Sequence, residues 1–366
     1  MQILVAGHLC LDIIPKWPVG SLESLQPGRI VQMGGVAFST GGAVSNTGIA
    51  LKRLGFTPIL VGRIGNDYFG QIIRQMYKEE GIDDRYLAVF EGAGTSYSIV
   101  LSPPDSDRAF LHYPGANDSF SPEDVDFTAA PGGIFHFGYP PLMAKMYQDG
   151  GRALVELFSK AKASKMLTSL DMAMPDPNSP AGKAPWRDII SRLMPLVDIF
   201  LPSIDELLVM LGKDASGFTL ELVQEAAAEI LDMGAHTVGI KLGDQGFYLR
   251  TSSKAGDVFG SSWAERELLA PSFLVKTQGT TGAGDTTIAG FLAGVALQKS
   301  PEETLTWAVA VGAHCVEGLS AIGAIPNLHQ VEERIRRGWP QRPVSLDING
   351  WTKTGGLFSS PFDRRG

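Results

Sequence analysis

The segment Gly279-Thr280-Thr281-Gly282-Ala283-Gly284-Asp285 sets a glycine-rich turn and one carboxylate at the mouth of an apolar helical pattern that runs over 286 to 298. Amide groups at such a helix mouth have no intrahelical partner and the helix dipole favours negative charge, so Gly282, Ala283 and Gly284 predict an anion-binding turn. Asp285 is itself an anion aimed at that turn. A carboxylate beside an anion site is unfavourable unless it removes a proton from an incoming hydroxyl. Asp is also a preferred helix N-cap, and on this segment alone capping explains Asp285 equally well. A phosphate-binding Walker loop does not fit, because Asp285-Thr286-Thr287 stands where Gly-Lys-Ser/Thr is required.

A second glycine segment, Ser39 to Gly55, feeds another amphipathic helix, with Gly41 and Gly42 at the turn, Asn46 in the first turns and Ile49, Leu51 and Leu54 apolar. Other landmarks follow in order: Gly7 to Asp12 after a first strand, Gly65 to Gly70, Gly81 to Asp83, the turn Lys241 to Gly246, and Gly323-Ala324. Over roughly residues 3 to 327 their order and spacing resemble the PfkB family of carbohydrate kinases, the ribokinase-like group. The resemblance implies a three-layer α/β/α domain with a mostly parallel central sheet and a small β lid. It also implies an ATP-dependent phosphotransferase using Mg²⁺.

By resemblance and position, Asp285 accepts the proton of the substrate hydroxyl while the amides of Gly282, Ala283 and Gly284 meet charge on the transferring phosphoryl group. Asp12 lies just past the first strand, where open α/β sheets bind ligands and a carboxylate can accept from two neighbouring sugar hydroxyls. Its duller reading is a solvated strand-end Asp. Gly41 and Gly42 let backbone approach the sugar, and Asn46 offers both donor and acceptor unless it is only a surface helix residue. Lys241, Gly243 and Gly246 resemble the family's nucleotide-binding turn and, with Ser203, are the residues the resemblance implies for cofactor binding, while Glu206 is the one it implies for the metal. Without the resemblance, Lys241 to Gly246 is simply a hairpin turn.

Three departures narrow the reading. Ser203-Ile204-Asp205-Glu206 stands where the family commonly has Asn-x-x-Glu, so Glu206 still organises Mg²⁺ through water while a hydroxyl replaces the Asn, and Asp205 is a neighbouring alternative. Gly279 replaces the Asp of the Asp-Thr-Thr found in members that use a monovalent cation, which predicts little response to K⁺. Ala43 replaces a Lys that often follows the two glycines, which argues against a phosphorylated sugar, although Arg108 of the lid could substitute.

Composition agrees with an enzyme of this kind. The 366 residues carry a net charge of −8 and 44% hydrophobic content, enough for a large core and without a basic stripe for nucleic acid. Two cysteines give no disulfide framework, no apolar run reaches a membrane span of roughly 20 residues, and no signal peptide is visible, so a cytoplasmic location is expected. The six histidines never fall at metal-ligand spacings and are expected to be structural.

Apolar runs at 3–6, 58–61, 133–137, 166–170, 198–201 and 237–241 predict buried strands. Helical patterns lie near 42–54, 67–80, 143–163, 204–212, 219–233, 286–298 and 302–317, an alternation that predicts parallel strands joined by crossovers. Segments 13–40 and 94–113 break the rhythm and predict antiparallel strands outside the main sheet; by themselves they read as surface hairpins, and the resemblance implies that they form a lid over the sugar, which would exclude water from phosphoryl transfer. Residues 1–327 form the predicted kinase domain and 328–366 a C-terminal helix with an irregular extension. Trp351, Leu357, Phe358 and Phe362 predict docking of that extension, and the lid allows a homodimer.

The expected reaction is ATP-dependent phosphorylation of a hydroxymethyl group on a small free sugar or related polyol. The alternatives are a nucleoside kinase with Phe38, Tyr97, Tyr113 and Phe137 as a stacking wall, and a non-catalytic sugar- or nucleotide-binding protein, which would have no need of Asp285. A dinucleotide oxidoreductase ranks last, since no Gly-x-Gly-x-x-Gly opens the first turn.

Overall fold

The computed structural model describes residues 1–364 except 19–21, 104–107 and 319–322. Parts of the segments 13–40 and 94–113 therefore lie outside the described residues.

The first half of the chain runs β1 (Ile3–Gly7), β2 (Cys10–Pro15), β3 (Val36–Gly41), α1 (Gly42–Arg53), β4 (Ile59–Gly65), α2 (Tyr68–Glu79), β5 (Leu87–Phe90), β6 (Tyr97–Leu101) and β7 (Ala109–Tyr113). It continues through β8 (Ile134–Gly138), α3 (Ala144–Tyr147), α4 (Arg152–Ala163), β9 (Leu167–Leu170), α5 (Trp186–Leu193), β10 (Ile199–Phe200), α6 (Ile204–Met210) and α7 (Leu220–Asp232). The last part holds β11 (Thr237–Lys241), β12 (Phe247–Thr251), α8 (Ser253–Phe259), β13 (Glu267–Ala270), α9 (Ala283–Ala296), α10 (Pro301–Val316), α11 (Leu328–Arg336), β14 (Thr352–Thr354) and β15 (Leu357–Ser359).

The main sheet has eleven strands in the order β14-β15-β13-β12-β11-β10-β9-β8-β1-β4-β5. From β11 to β5 every neighbouring pair is parallel, and the pairs from β11 outward to β14 are antiparallel. Alternation along β1 splits the core: Ile3 and Val5 join the cluster that contains α1, α9 and α10, whereas Leu4 and Ala6 join the one under α4 to α7. That is the expected α/β/α sandwich. The apolar run at 143–163 is not one helix, because Asp149, Gly150 and Gly151 take positive φ of 49°, 64° and 77° between α3 and α4.

A second sheet, β3-β2-β6-β7, stands over the carboxyl ends of the parallel strands. It begins earlier than expected, at Cys10, so Asp12 is a lid-strand residue. Register fixes its two faces. Asp12 opposes Ser39 and Ser98, which opposes His112, all on one face; Ile13 opposes Phe38 and Ile99, which opposes Leu111, on the other. Beyond α11 the tail docks, with β15 pairing to β13 and Trp351 and Phe358 packing on the core. The tail's lack of periodicity hid two strands that are only three residues long. No helix among the described residues is long and apolar enough to cross a membrane.

Candidate active site

Just beyond or at the ends of the parallel strands β1, β8, β9, β10 and β11 stand His8, Tyr139, Asp171, Ser203 and Lys241. Helices α1 and α9 add the remaining groups. Gly282, at φ 77°, takes the left-handed conformation that starts α9, and the helix begins at Ala283, three residues before the apolar pattern suggests. Thr286 N–H already bonds Gly282 carbonyl at 2.9 Å, and the Ala283 N–H is spent on Thr280 carbonyl at 3.2 Å. Of the expected anion-binding amides, Ala283 is therefore engaged within the turn. From Ile288 onward α9 is apolar on all sides and buried, which anchors the turn rigidly.

Asp285 does not cap α9. It lies in the first helical turn, 2% exposed, with Oδ2 accepting from Asn46 Nδ2 at 2.9 Å and both oxygens accepting from Tyr139 Oη at 2.8 and 2.9 Å. Burial raises its pKa, against the opposing pull of the Asn46 and Tyr139 hydrogen bonds and the Lys241 charge. Thr47 Oγ1 adds a bond to Asp285 carbonyl at 3.3 Å, so α1 holds the residue by side chain and backbone. Asn46 Oδ1 is buried with no hydrogen-bond partner, an acceptor left free for a ligand.

Asp12 sits on the lid's inner face, 9% exposed, its Oδ1 accepting from Cys10 Sγ at 3.4 Å. Burial pushes its carboxyl up to about 6, with the charge of Asp285 adding to the rise. A side chain at Gly41 would run into this carboxylate, and one at Gly42, at φ 84°, into His8 carbonyl. These glycines make room for Asp12 and for the entry of α1 rather than standing open to a ligand. His8 and His112 face one another at 3.3 Å between their Nε2 atoms, and His112 Nδ1 meets Ser98 Oγ at 3.0 Å. This pair links core to lid beside Asp12, a placement the metal-spacing criterion had no means to detect.

On the opposite side Lys241 Nζ pairs with Asp171 Oδ1 at 2.7 Å and lies 4.0 Å from Glu206 Oε2. Burial works against its charge, yet Asp171, Glu206 and Asp285 together raise its pKa, so it remains an ammonium. Burial in turn pushes the Asp171 carboxyl up, against the pull of Lys241. Ser203 and Glu206 form a capping box on α6, with Ser203 N–H donating to Glu206 Oε2 at 2.7 Å and Glu206 N–H to Ser203 Oγ at 3.3 Å. Gly243 and Gly246, at φ 59° and 109°, shape the turn between β11 and β12. Lys241, Gly243 and Gly284 line two adjoining cavities, one of about 320 Å³ with apolar walls including Val275 and Val309, and one of about 690 Å³ at Tyr139 and Glu206. No cluster of three His, Cys, Asp or Glu side chains among the described residues could bind a metal unaided.

The chain matches the profile of the pfkB family carbohydrate kinases over residues 2–328. It belongs to that family. The enzyme is a phosphotransferase, and it is similar to an uncharacterised sugar kinase of Archaeoglobus fulgidus, 26% identical over 76% of this chain and 98% of that one. Fructokinase-2 of Zea mays is 25% identical over 90% of this chain and 93% of its own. The structure of Arabidopsis thaliana ribokinase with ribose and ATP superposes with a TM-score of 0.72 at 21% identity, over 91% of this chain and 97% of that one.

Tyr139 and Asp171 escaped the sequence reading, since each follows a buried strand without a motif of its own. The signal was their position one residue past strands β8 and β9. The aromatic wall imagined for a nucleobase is not built: Tyr97, Tyr113 and Phe38 lie on the lid face opposite Asp12, and Phe137 is buried against Phe120 and Phe158. Arg108 lies just before β7; burial pushes the Cys315 thiol up to about 11, and that thiol donates to Thr281 carbonyl at 3.5 Å.

Proposed function

We propose that this kinase transfers the γ-phosphoryl group of ATP to a hydroxymethyl group of a small, uncharged sugar or related polyol. The observation that carries this reading is the buried Asp285, held by Asn46 and Tyr139 at the first turn of α9 between the lid carboxylate of Asp12 and the ammonium of Lys241. Asp285 accepts the proton of the attacking hydroxyl. The raised pKa keeps it a stronger base than an exposed Asp, and the hydrogen bonds from Asn46 and Tyr139 keep it in place.

Asp12 accepts from hydroxyls of the sugar, and Asn46 Oδ1 supplies a further acceptor. The inner lid face, with Ser98 and His112, closes over the sugar and excludes water. The amides of Gly282 and Gly284 and the Lys241 ammonium face the transferring group. Glu206, whose Oε1 is not used by the capping box, would hold Mg²⁺ through water, with Asp171 Oδ2 as a second unpartnered oxygen, and the ion would supply positive charge to neutralise the ATP phosphates.

A homodimer through the lid is supported by the apolar row Phe38, Ile13, Ile99 and Leu111, of which Phe38 and Leu111 are 42% and 56% exposed. A cytoplasmic site of action is read from the buried, unbridged Cys10 and Cys315. The deciding experiment is an ADP-release screen with ATP and Mg²⁺ across free sugars, polyols, sugar acids and nucleosides. Turnover with a neutral sugar supports the reading; turnover only with nucleosides, or with none of them, overturns it.

A further inference from the structure

The family profile ends at residue 328, yet the chain beyond it lines both cavities, Arg342 the one of about 320 Å³ and Ser345 and Leu346 the one of about 690 Å³. Residues 339–346 run along the strand-like segment 271–275 that rims the 320 Å³ apolar cavity. Trp339 stacks on Phe273 with ring centroids 4.5 Å apart and 20° between planes, and its indole N–H donates to Leu274 carbonyl at 3.0 Å. The Arg334 guanidinium covers the Trp339 ring at 3.6 Å. Leu274 N–H bonds Pro340 carbonyl and Arg342 N–H bonds Ser272 carbonyl, both at 2.8 Å, and Ser345 N–H and Oγ both donate to Gln245 Oε1 at 2.8 Å. Backbone bonds on both sides of Arg342 fix where its side chain starts.

Arg342 lines the apolar cavity, and its closest side-chain partner is Asp244, at 3.8 Å, which is beyond hydrogen-bond length. Its guanidinium is 35% exposed and that Asp244 carboxylate 67%, so the pair is loose and solvated. The other cation of this cavity, Lys241, is held by Asp171 at the end shared with the glycine turn. Arg342 does not line the polar cavity that holds Tyr139 and Glu206, where phosphates would lie. The cavity has apolar walls that include Val275 and Val309, and a planar guanidinium lining it matches the face of an aromatic ring far better than an ammonium does.

We infer that residues 339–346 are a wall of the nucleotide site and that Arg342 stacks on the nucleobase of ATP, so that nucleotide affinity depends on a segment outside the family core. This rests on the reading of the cleft as an ATP site. The nucleoside end is assigned to Arg342 and the phosphate end to Lys241 and the glycine turn.

Isothermal calorimetry on the full chain, with adenosine and with Mg²⁺–ADP as separate ligands, separates the two levels. If the wild type binds neither, the ATP-site reading fails and the inference with it. If it binds both, Arg342→Ala is expected to weaken both by the same factor, about 3- to 30-fold, which is the range of a stacked cation. Arg342→Lys, which keeps the charge and loses the plane, recovers little of that loss. The sugar KM at saturating ATP stays within error of wild type, a readout that a general loss of structure would move. Loss confined to ADP and restored by Lys would place Arg342 at a phosphate and overturn the assignment, as would unchanged binding of both ligands. If Arg342→Ala fails to fold, Arg342→Lys alone decides, since adenosine binding equal to wild type excludes the stacking contact.

Discussion

Tyr139 Oη donates to both carboxylate oxygens of Asp285, at 2.8 and 2.9 Å, from a residue whose own backbone is left-handed at φ 66°. A non-glycine residue rarely holds that conformation without compensation. Here it is what turns the ring back from the end of β8 onto α9. The hydrogen bond favours the charged carboxylate and so lowers a pKa that burial raises.

Tyr139→Phe removes that donor while keeping the ring. The Asp285 pKa then rises further, and because the base works only when ionised, the acid limb of the kcat/KM profile moves to higher pH. A loss of roughly 10-fold near neutral pH that shrinks as pH rises is expected for one hydrogen bond to a charged group. A pH–rate profile identical to wild type would mean that Tyr139 merely fills space.

Asp285→Asn preserves shape and its contact with Tyr139 but cannot take the proton. It should cost about 10²- to 10⁴-fold in kcat while Mg²⁺–ADP binding changes little. Turnover close to wild type, in protein purified free of host kinase, would remove Asp285 from the role of base.

Asp12 predicts a split between the two substrates. Asp12→Ala should raise the sugar KM far more than the ATP KM, since only hydroxyl partners are lost on the lid side. Its carboxyl titrates near 6, and protonation removes an acceptor, so the wild-type sugar KM should rise as pH falls through that value. Gly41→Ala should mimic the defect, because the added methyl displaces the carboxylate. Parallel changes in both KM values would put Asp12 outside the sugar pocket.

Gly279 predicts the cation response. Gln278 N–H and Gly279 N–H both bond Val316 carbonyl, at 2.7 and 3.3 Å, so backbone bonds to α10 hold the start of the glycine turn. No carboxylate is present at 279 to draw a monovalent cation. Initial rates at constant ionic strength, with K⁺ replaced by a bulky organic cation, should change little. A several-fold fall would show that carbonyl oxygens alone suffice for a cation site.

The sequence by itself determined the alternation of buried strands and helices, because each short apolar run such as Ile3 to Ala6 has nowhere to go but a sheet interior. It also determined that a glycine turn and one carboxylate stand at the mouth of an apolar helix, since Gly282 to Asp285 are contiguous in the chain, whereas the left-handed Gly282 and the helix start at Ala283 came from the structure. Tertiary structure alone decided that Asp285 is a buried, hydrogen-bonded group rather than a helix cap, because Asn46 and Tyr139 reach it from 239 and 146 residues away. It placed Asp12 on a lid strand instead of at a strand end, through register with Ser39 and Ser98. It drew β14 and β15 into the main sheet, where pairing with β13, not any period in three-residue segments, makes them strands. Local periodicity records which face of an element is buried; which elements meet is fixed by packing between residues far apart in the chain, and the site is made where they meet.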